Sequence, residues 1–199
     1  MKLIFATNNQ NKIDEINHIT SVISVNHLQI ISLKEAGINK DIPEPFQTLE
    51  ENAFAKSLYL YRHTSTACFS EDTGLEVNAL GFEPGVRSAR YAGEPPDNKK
   101  NIQLLLKNLE NITDRNARFR TIISLILNKV EYQFEGICKG VVTSAPVGNA
   151  GFGYDPVFIP SGSDRTFGEM TMEEKNKFSH RKKATEQLIR FLTNYYAKN

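Results

Sequence analysis

Tryptophan is absent from the 199 residues, and cysteine appears only twice, at Cys68 and Cys138, with no CxxC pair. Two distant cysteines give neither a zinc ribbon nor a disulfide framework, so packing must hold the fold and a reducing compartment fits best. A surplus of one charge is also lacking, because 24 Lys+Arg face 23 Asp+Glu for a formal net charge of +1. Polymeric nucleic acid and anionic membrane surfaces are bound through a large basic excess that displaces counterions, so both are poor partners here, while a small anionic ligand stays open. No stretch of about 18 apolar residues runs together, and the apolar-rich segment behind Met1 is too short for a signal-peptide core, which makes the cytoplasm the expected location. With 12 Gly and 8 Pro the chain is neither low-complexity nor collagen-like.

What is present is the composition of an ordinary soluble domain, 40% hydrophobic and 24% charged, expected to fold as one unit over residues 1–199. A chain of this length buries roughly 70% of its unfolded surface, enough for a core without staples. Lys2–Ala6 reads as a buried strand, and Ile13, Ile16, Ile19 and Ile23 then recur at helical spacing. A second strand is expected over Val25–Ile31, a helix over Leu49–Tyr61 and a short strand over Ala67–Ser70. Ile102, Leu105, Leu106 and Leu109 mark another helix, and the alternation through Phe119–Leu127 and Tyr132–Cys138 predicts a hairpin joined near Val130. A short strand over Pro156–Ile159 and a C-terminal helix with Ala184, Leu188, Phe191, Leu192 and Tyr195 inward complete an α/β fold with a mixed β-sheet flanked by helices.

Four segments carry candidate chemistry. Thr7-Asn8-Asn9-Gln10-Asn11-Lys12 joins strand to helix, where unpaired amides and the helix dipole favour phosphate; a merely polar turn is the plainer alternative. Ser179-His180-Arg181-Lys182-Lys183 crowds positive charge into a first helical turn, against the dipole, so either an anion lies there or the face is simply solvated. Lys175 and Lys177 extend this cluster, and Thr171 with Glu174 forms a capping-box pattern for a short preceding helix. Glu44 in a Pro-flanked loop and Glu71-Asp72, placed at a strand end, offer hard oxygen ligands suited to Mg²⁺, although N-capping or turn formation by Asp72 is the usual meaning of a strand-end acid by itself. Gly151-Phe152-Gly153-Tyr154-Asp155-Pro156 lets backbone approach a ligand while Phe152 offers a face for a base, unless that ring belongs to the core. His18, His27 and His63 have no ligand spacing, and Cys68 reads as a buried apolar side chain.

Taken in order, these segments resemble a known family. Ala6-Thr7-Asn8-Asn9 with Lys12, Glu51-Asn52-Ala53 with Lys56, Glu71-Asp72-Thr73-Gly74, Ser88-Ala89-Arg90-Tyr91-Ala92-Gly93, Gly151–Pro156 and Glu174-Lys175 leading to Ser179-His180-Arg181 are similar to the motifs of the inosine/xanthosine triphosphate pyrophosphatases, also called Ham1. The resemblance implies an ITPase/Maf-like fold of two lobes with an active cleft between them, a homodimer, and Mg²⁺-dependent hydrolysis of ITP, dITP and XTP to monophosphate and pyrophosphate. It implies that Thr7, Asn8, Asn9, Gln10, Asn11 and Lys12 hold phosphates and that Glu44 and Asp72 bind metal. Asp72 and Lys12 are then catalytic, and Thr73, Phe152, Gly153, Tyr154, Asp155, Lys175, His180 and Arg181 contact substrate. Glu71 and Thr73 depart from the usual Asp and Ser. Lys12, the turn amides and Mg²⁺ would neutralise the triphosphate while water attacks the α-phosphorus, and donors such as Lys175 and His180 would select a purine 6-carbonyl. Competing readings are a Maf-like pyrophosphatase for pyrimidine or modified-guanine triphosphates, a nucleotide sensor without hydrolysis, and a single-stranded RNA binder.

Overall fold

The computed structural model describes residues 2–23, 28–38 and 42–198. In chain order these form β1 (Lys2–Phe5), α1 (Gln10–Ile23), β2 (Gln29–Ser32), α2 (Leu49–Thr64), β3 (Cys68–Val77), β4 (Pro84–Gly85) and α3 (Asn98–Asn108). After these come β5 (Asn116–Leu127), β6 (Val130–Val142), β7 (Phe158–Pro160), α4 (Met172–Asn176) and α5 (His180–Lys198). The sheet is mixed, as expected: β1 runs parallel to β2 and β3, whereas β4 is antiparallel to β3 and β7 to β6. Its strand order is β2-β1-β3-β5-β6-β7, with β4 beside β3.

The expected hairpin is β5–β6. Asn128 and Lys129 link it with φ of 52° and 68°, the pair of left-handed residues whose twist matches the flanking strands in a two-residue turn. Helix α3 begins where Asp97 accepts hydrogen bonds from the amides of Lys99 and Lys100 at 2.9 and 3.1 Å, and it turns Ile102 and Leu105 inward. In α5 the buried stripe is Ala184, Leu188 and Leu192, with Phe191 and Tyr195 packed at its margin.

Two expectations need correction. The strand placed over Ala67–Ser70 continues to Val77, so Glu71 and Asp72 lie inside β3 and not behind it. Nine of its ten residues are buried, and a strand covered on both faces shows no alternation by which to find its end. The strand expected over Pro156–Ile159 starts at Phe158, after a 3₁₀ turn over Asp155–Val157. Of the expected second strand, Val25–His27 lie outside the described residues, and β2 begins at Gln29.

The chain divides into two compact units. The first comprises Met1–Asp72, Thr121–Gly136 and Arg181–Asn199, and the second Thr73–Arg120 and Ile137–His180. In the first unit the sheet is sandwiched. Leu3, Phe5, Ile16, Phe69, Ile123 and Leu188 join a core beneath α1 and α5, while Ile4, Leu60, Cys68 and Ile126 join one beneath α2. In the second unit Leu75, Leu105, Phe119, Tyr154, Phe158 and Phe167 anchor a separate core.

Candidate active site

The Thr7–Lys12 turn begins where β1 stops pairing. Asn9 precedes the first residue of α1 and its Oδ1 accepts from the Lys12 amide at 3.3 Å, an N-cap, while Thr7 Oγ1 accepts from the Asn9 amide at 3.2 Å. Asn8, Asn9, Gln10 and Asn11 are exposed. None of these asparagines is left-handed, and Asn9 serves the turn by capping the helix. The Lys12 ammonium lies 3.1 Å from Glu71 Oε1.

Alternation along β3 sends the adjacent carboxylates to opposite faces. Cys68 Sγ and Ser70 Oγ hydrogen-bond carbonyls of Ser57 and Ala53 on the α2 side, and Asp72 follows them at period two. Glu71 follows Phe69 toward α1 and α5. There its two oxygens receive Arg181 Nε and Nη2 at 2.7 and 2.9 Å, while Arg181 Nη1 pairs with Glu15. Arg181 is 1% exposed and Glu15 3%. Burial alone would raise the Glu71 carboxyl, but Arg181 and Lys12 hold it well below the usual carboxylate range. Burial likewise works against the charged Arg181, and Glu71 with Glu15 outweigh it and hold the guanidinium above its ordinary value. The Arg181 charge in the first turn of α5 is therefore matched by an anion, but the anion is the protein's own. Neither a solvated face nor an open substrate contact describes Arg181 as it stands. Glu15 was missed by sequence reasoning, although a carboxylate beside the inward Ile16 and Ile19 is itself a signal.

On the other face, Asp72 Oδ1 sits 3.2 Å from the Lys56 ammonium, which also donates to Glu44 and, at 2.8 Å, to the Glu71 carbonyl oxygen. Burial pushes the Asp72 carboxyl up, opposed by Lys56 and reinforced by the Glu44 charge. Asp72 Oδ2 is buried with no hydrogen-bond partner among the described residues. A buried carboxylate oxygen left unsatisfied is costly, and a second acid reaches the same ammonium. This donor set fits a Mg²⁺ ion, which takes one or two carboxylates and keeps water on its remaining positions. Among the described residues no group of three or more His, Cys, Asp or Glu converges as a fuller cage.

The second unit holds the remaining candidates. Gly151 and Gly153 have φ of 72° and 60°, and a Cβ on Gly151 would stand 2.0 Å from Asp155 Oδ2, so glycine is what allows this loop to close on the carboxylate. Asp155 Oδ2 accepts from the Phe152 amide at 2.8 Å and from Lys175 Nζ at 2.6 Å. Lys175 is anchored by the expected capping box, with Thr171 Oγ1 accepting from the Glu174 amide and Glu174 Oε2 from the Thr171 amide. Its ammonium lies 5.1 Å from the Phe152 ring centroid and 5.3 Å from that of Phe167. Phe152 is half-buried and outside the core cluster, which removes the alternative of a core ring. His180 stacks on Phe119 with centroids 4.7 Å apart and planes at 12°. Tyr154 instead belongs to the core, its hydroxyl donating to the Ser88 carbonyl at 2.9 Å, so only its backbone is available as a ligand contact. Asp155, expected to read polar edges, uses its carboxylate to fix Lys175 and the loop. Thr73, half-buried, opens this unit's share of β3.

His63 Nδ1 lies 2.7 Å from the Tyr59 carbonyl on its own helix, and His27 lies outside the described residues. Cys68 is buried with its thiol pushed up to about 12 by burial, which leaves no thiolate for nucleophilic attack.

A model of the Ham1 family matches residues 3–191. A Flavobacterium johnsoniae protein named dITP/XTP pyrophosphatase is 47% identical over 193 residues, covering 97% of this chain and 98% of that one. A Flavobacterium psychrophilum protein of the same name is 45% identical over 194 residues, covering 98% and 100%. The solved structure of the Staphylococcus aureus Ham1 protein superposes with a TM-score of 0.87 at 36% identity, covering 98% of this chain and 100% of that one.

Proposed function

The chain belongs to the Ham1 family, and from that premise we propose that it hydrolyses dITP, ITP and XTP to the nucleoside monophosphate and pyrophosphate, clearing such nucleotides from the pool. The observation that carries this reading is Asp72, a buried carboxylate with one oxygen on Lys56 and the other without a hydrogen-bond partner among the described residues. Burial raises its proton affinity, which suits a group that accepts a proton from an attacking water at the α-phosphorus. Glu44 and Asp72 would hold Mg²⁺, which when bound draws charge from phosphate oxygens and lowers the pKa of water.

Phosphate binding falls to Thr7, Asn8, Asn9, Gln10, Asn11 and Lys12. The exposed side chains of the turn, the helix N-terminus behind them and the Lys12 ammonium all favour negative charge. Glu71 and Arg181 act from behind, holding Lys12 and the end of α5 in place. Phe152 offers the base a flat face, His180 and Lys175 supply donors for a 6-carbonyl, and Gly153, Thr73 and the backbone of Tyr154 and Asp155 complete the contacts. Adenine, with an amino donor at position 6, would set donor against donor there. The whole chain would serve as one catalytic domain, working as a cytoplasmic homodimer; among the described residues no helix is long and apolar enough to cross a membrane.

A panel of dITP, ITP, XTP, ATP, GTP, dTTP and UTP with Mg²⁺, reading pyrophosphate and orthophosphate separately, tests this. Pyrophosphate released from the hypoxanthine and xanthine nucleotides is expected. Preference for a pyrimidine, orthophosphate as first product, or tight ITP binding without turnover would each overturn it.

A further inference from the structure

Lys56 reaches from α2 into a ring of oxygens. Its ammonium donates to Glu44, to the Glu71 carbonyl at 2.8 Å and to Asp72 Oδ1 at 3.2 Å, and the residue is only 5% exposed. Three donors thus meet three oxygens, and two of those oxygens come from the carboxylates assigned above to a divalent ion. A small cation enclosed by hard oxygens is the arrangement Mg²⁺ itself adopts. The two cations cannot share these oxygens on equal terms. Each lone pair engaged by an N–H is withdrawn from the metal, and two positive centres a few ångströms apart repel.

We infer that Lys56 is a tethered counter-cation that competes with divalent metal for Glu44 and Asp72, so that the nucleotide-free protein holds metal weakly and loads it together with the triphosphate. Glu44 and Asp72 alone would present two negative charges to an arriving ion. With Lys56 between them the net charge met is a single negative one. The triphosphate restores the balance because its own oxygens bring more negative charge than Lys56 removes. In the absence of metal the same ammonium keeps the buried Asp72 and the half-buried Glu44 from repelling one another. This inference rests on the reading of Glu44 and Asp72 as the metal ligands.

The test is a titration of Mn²⁺, a paramagnetic stand-in for Mg²⁺, into the full-length nucleotide-free protein, with free ion read by electron paramagnetic resonance. Lys56→Met is expected to bind Mn²⁺ about tenfold more tightly than wild type, or more, since removing a unit charge near a divalent ion gives at least that even at the dielectric constant of water. Unchanged or weaker binding would overturn the inference. Lys56→Gln, which keeps hydrogen-bond donors without the charge, is the second variant should the methionine fail to fold. If neither folds, a spectrum of wild type carrying nitrogen-labelled lysine decides: saturating Mg²⁺ must shift the Lys56 ammonium resonance, and an unmoved signal refutes displacement. Adding Asp72→Asn to Lys56→Met should abolish the tight Mn²⁺ site. Mn²⁺ binding that ignores Asp72→Asn would instead remove the metal-ligand reading itself.

Discussion

Replacing Glu71 by Gln separates the residues that hold the first unit together from those that face substrate. Glu71 and Glu15 bring two negative charges, Arg181 and Lys12 two positive ones, so this cluster is neutral as built. Glu71→Gln leaves Arg181, 1% exposed, without the carboxylate that receives its Nε and Nη2, and Lys12 without the oxygen it pairs with. Breaking a buried pair by removing one partner costs about 3–5 kcal/mol, because the remaining charge stays out of water. For a chain of this size each kcal/mol moves Tm by about 2–4 °C, giving an expected drop of roughly 6–20 °C. Lys12→Met is the contrast. The Lys12 side chain is 15% exposed and Glu71 keeps both Arg181 hydrogen bonds when Lys12 is lost, so a smaller loss of stability than for Glu71→Gln is expected, while turnover collapses because the triphosphate loses its ammonium. Thermal and urea unfolding followed by circular dichroism, with pyrophosphate release on the same samples, read both quantities. A Glu71→Gln variant within about 1 kcal/mol of wild type would refute the buried-network argument, and so would a Lys12→Met variant as unstable as Glu71→Gln.

Asp72→Asn should lower kcat by about 10²–10⁴, the usual range for a lost general base, yet hold or raise Tm at pH 7. Burial raises the folded pKa of Asp72, so its ionised form opposes folding above that pKa, and differential scanning calorimetry showing a clear drop would contradict this. Glu71 has the opposite sign. Its folded pKa is depressed below the ordinary 4.5, so its contribution is complete above about that pH and disappears as pH falls through the lower folded value. Urea midpoints of wild type should therefore decline below pH 4.5 more steeply than those of Glu71→Gln; parallel profiles would exclude it. Gly151→Ala, at φ 72°, should displace Asp155 from Lys175 and the Phe152 amide and raise KM for ITP more than it lowers kcat, and an unchanged KM would show the loop to be uninvolved.

Much of the fold is legible in local periodicity. The stripes of α1, α3 and α5 each describe one face meeting one core, and the structure returns them with little shift; β6 keeps its alternation, whereas β5 is buried on both faces from Thr121 to Leu127 and was legible from its apolar run. β3 was legible only at its start, because a strand buried on both faces has no alternation to follow. Its length changes the site reading: inside a strand, neighbouring carboxylates face apart, so Glu71-Asp72 is not one acidic pair but two members of separate networks. The partnership of Arg181 with Glu15 and Glu71 spans 166 and 110 residues and follows from which helices cover which sheet face, information that no window of sequence holds. Sequence could register only that α5 begins against its dipole. Lys56 lay within a recognised motif, but its place between Glu44 and Asp72 depends on how α2 lies along β3.

Neither compact unit is a continuous stretch of chain, and two of the junctions, Asp72/Thr73 and His180/Arg181, fall inside motifs of the candidate site. No truncation can therefore yield either unit by itself. Recombination between relatives meets the same obstacle: any single crossover placed between residues 71 and 181 draws Glu71 from one parent and Arg181 from the other, so in hybrids of this chain the fit of the buried ion pair depends on both parents.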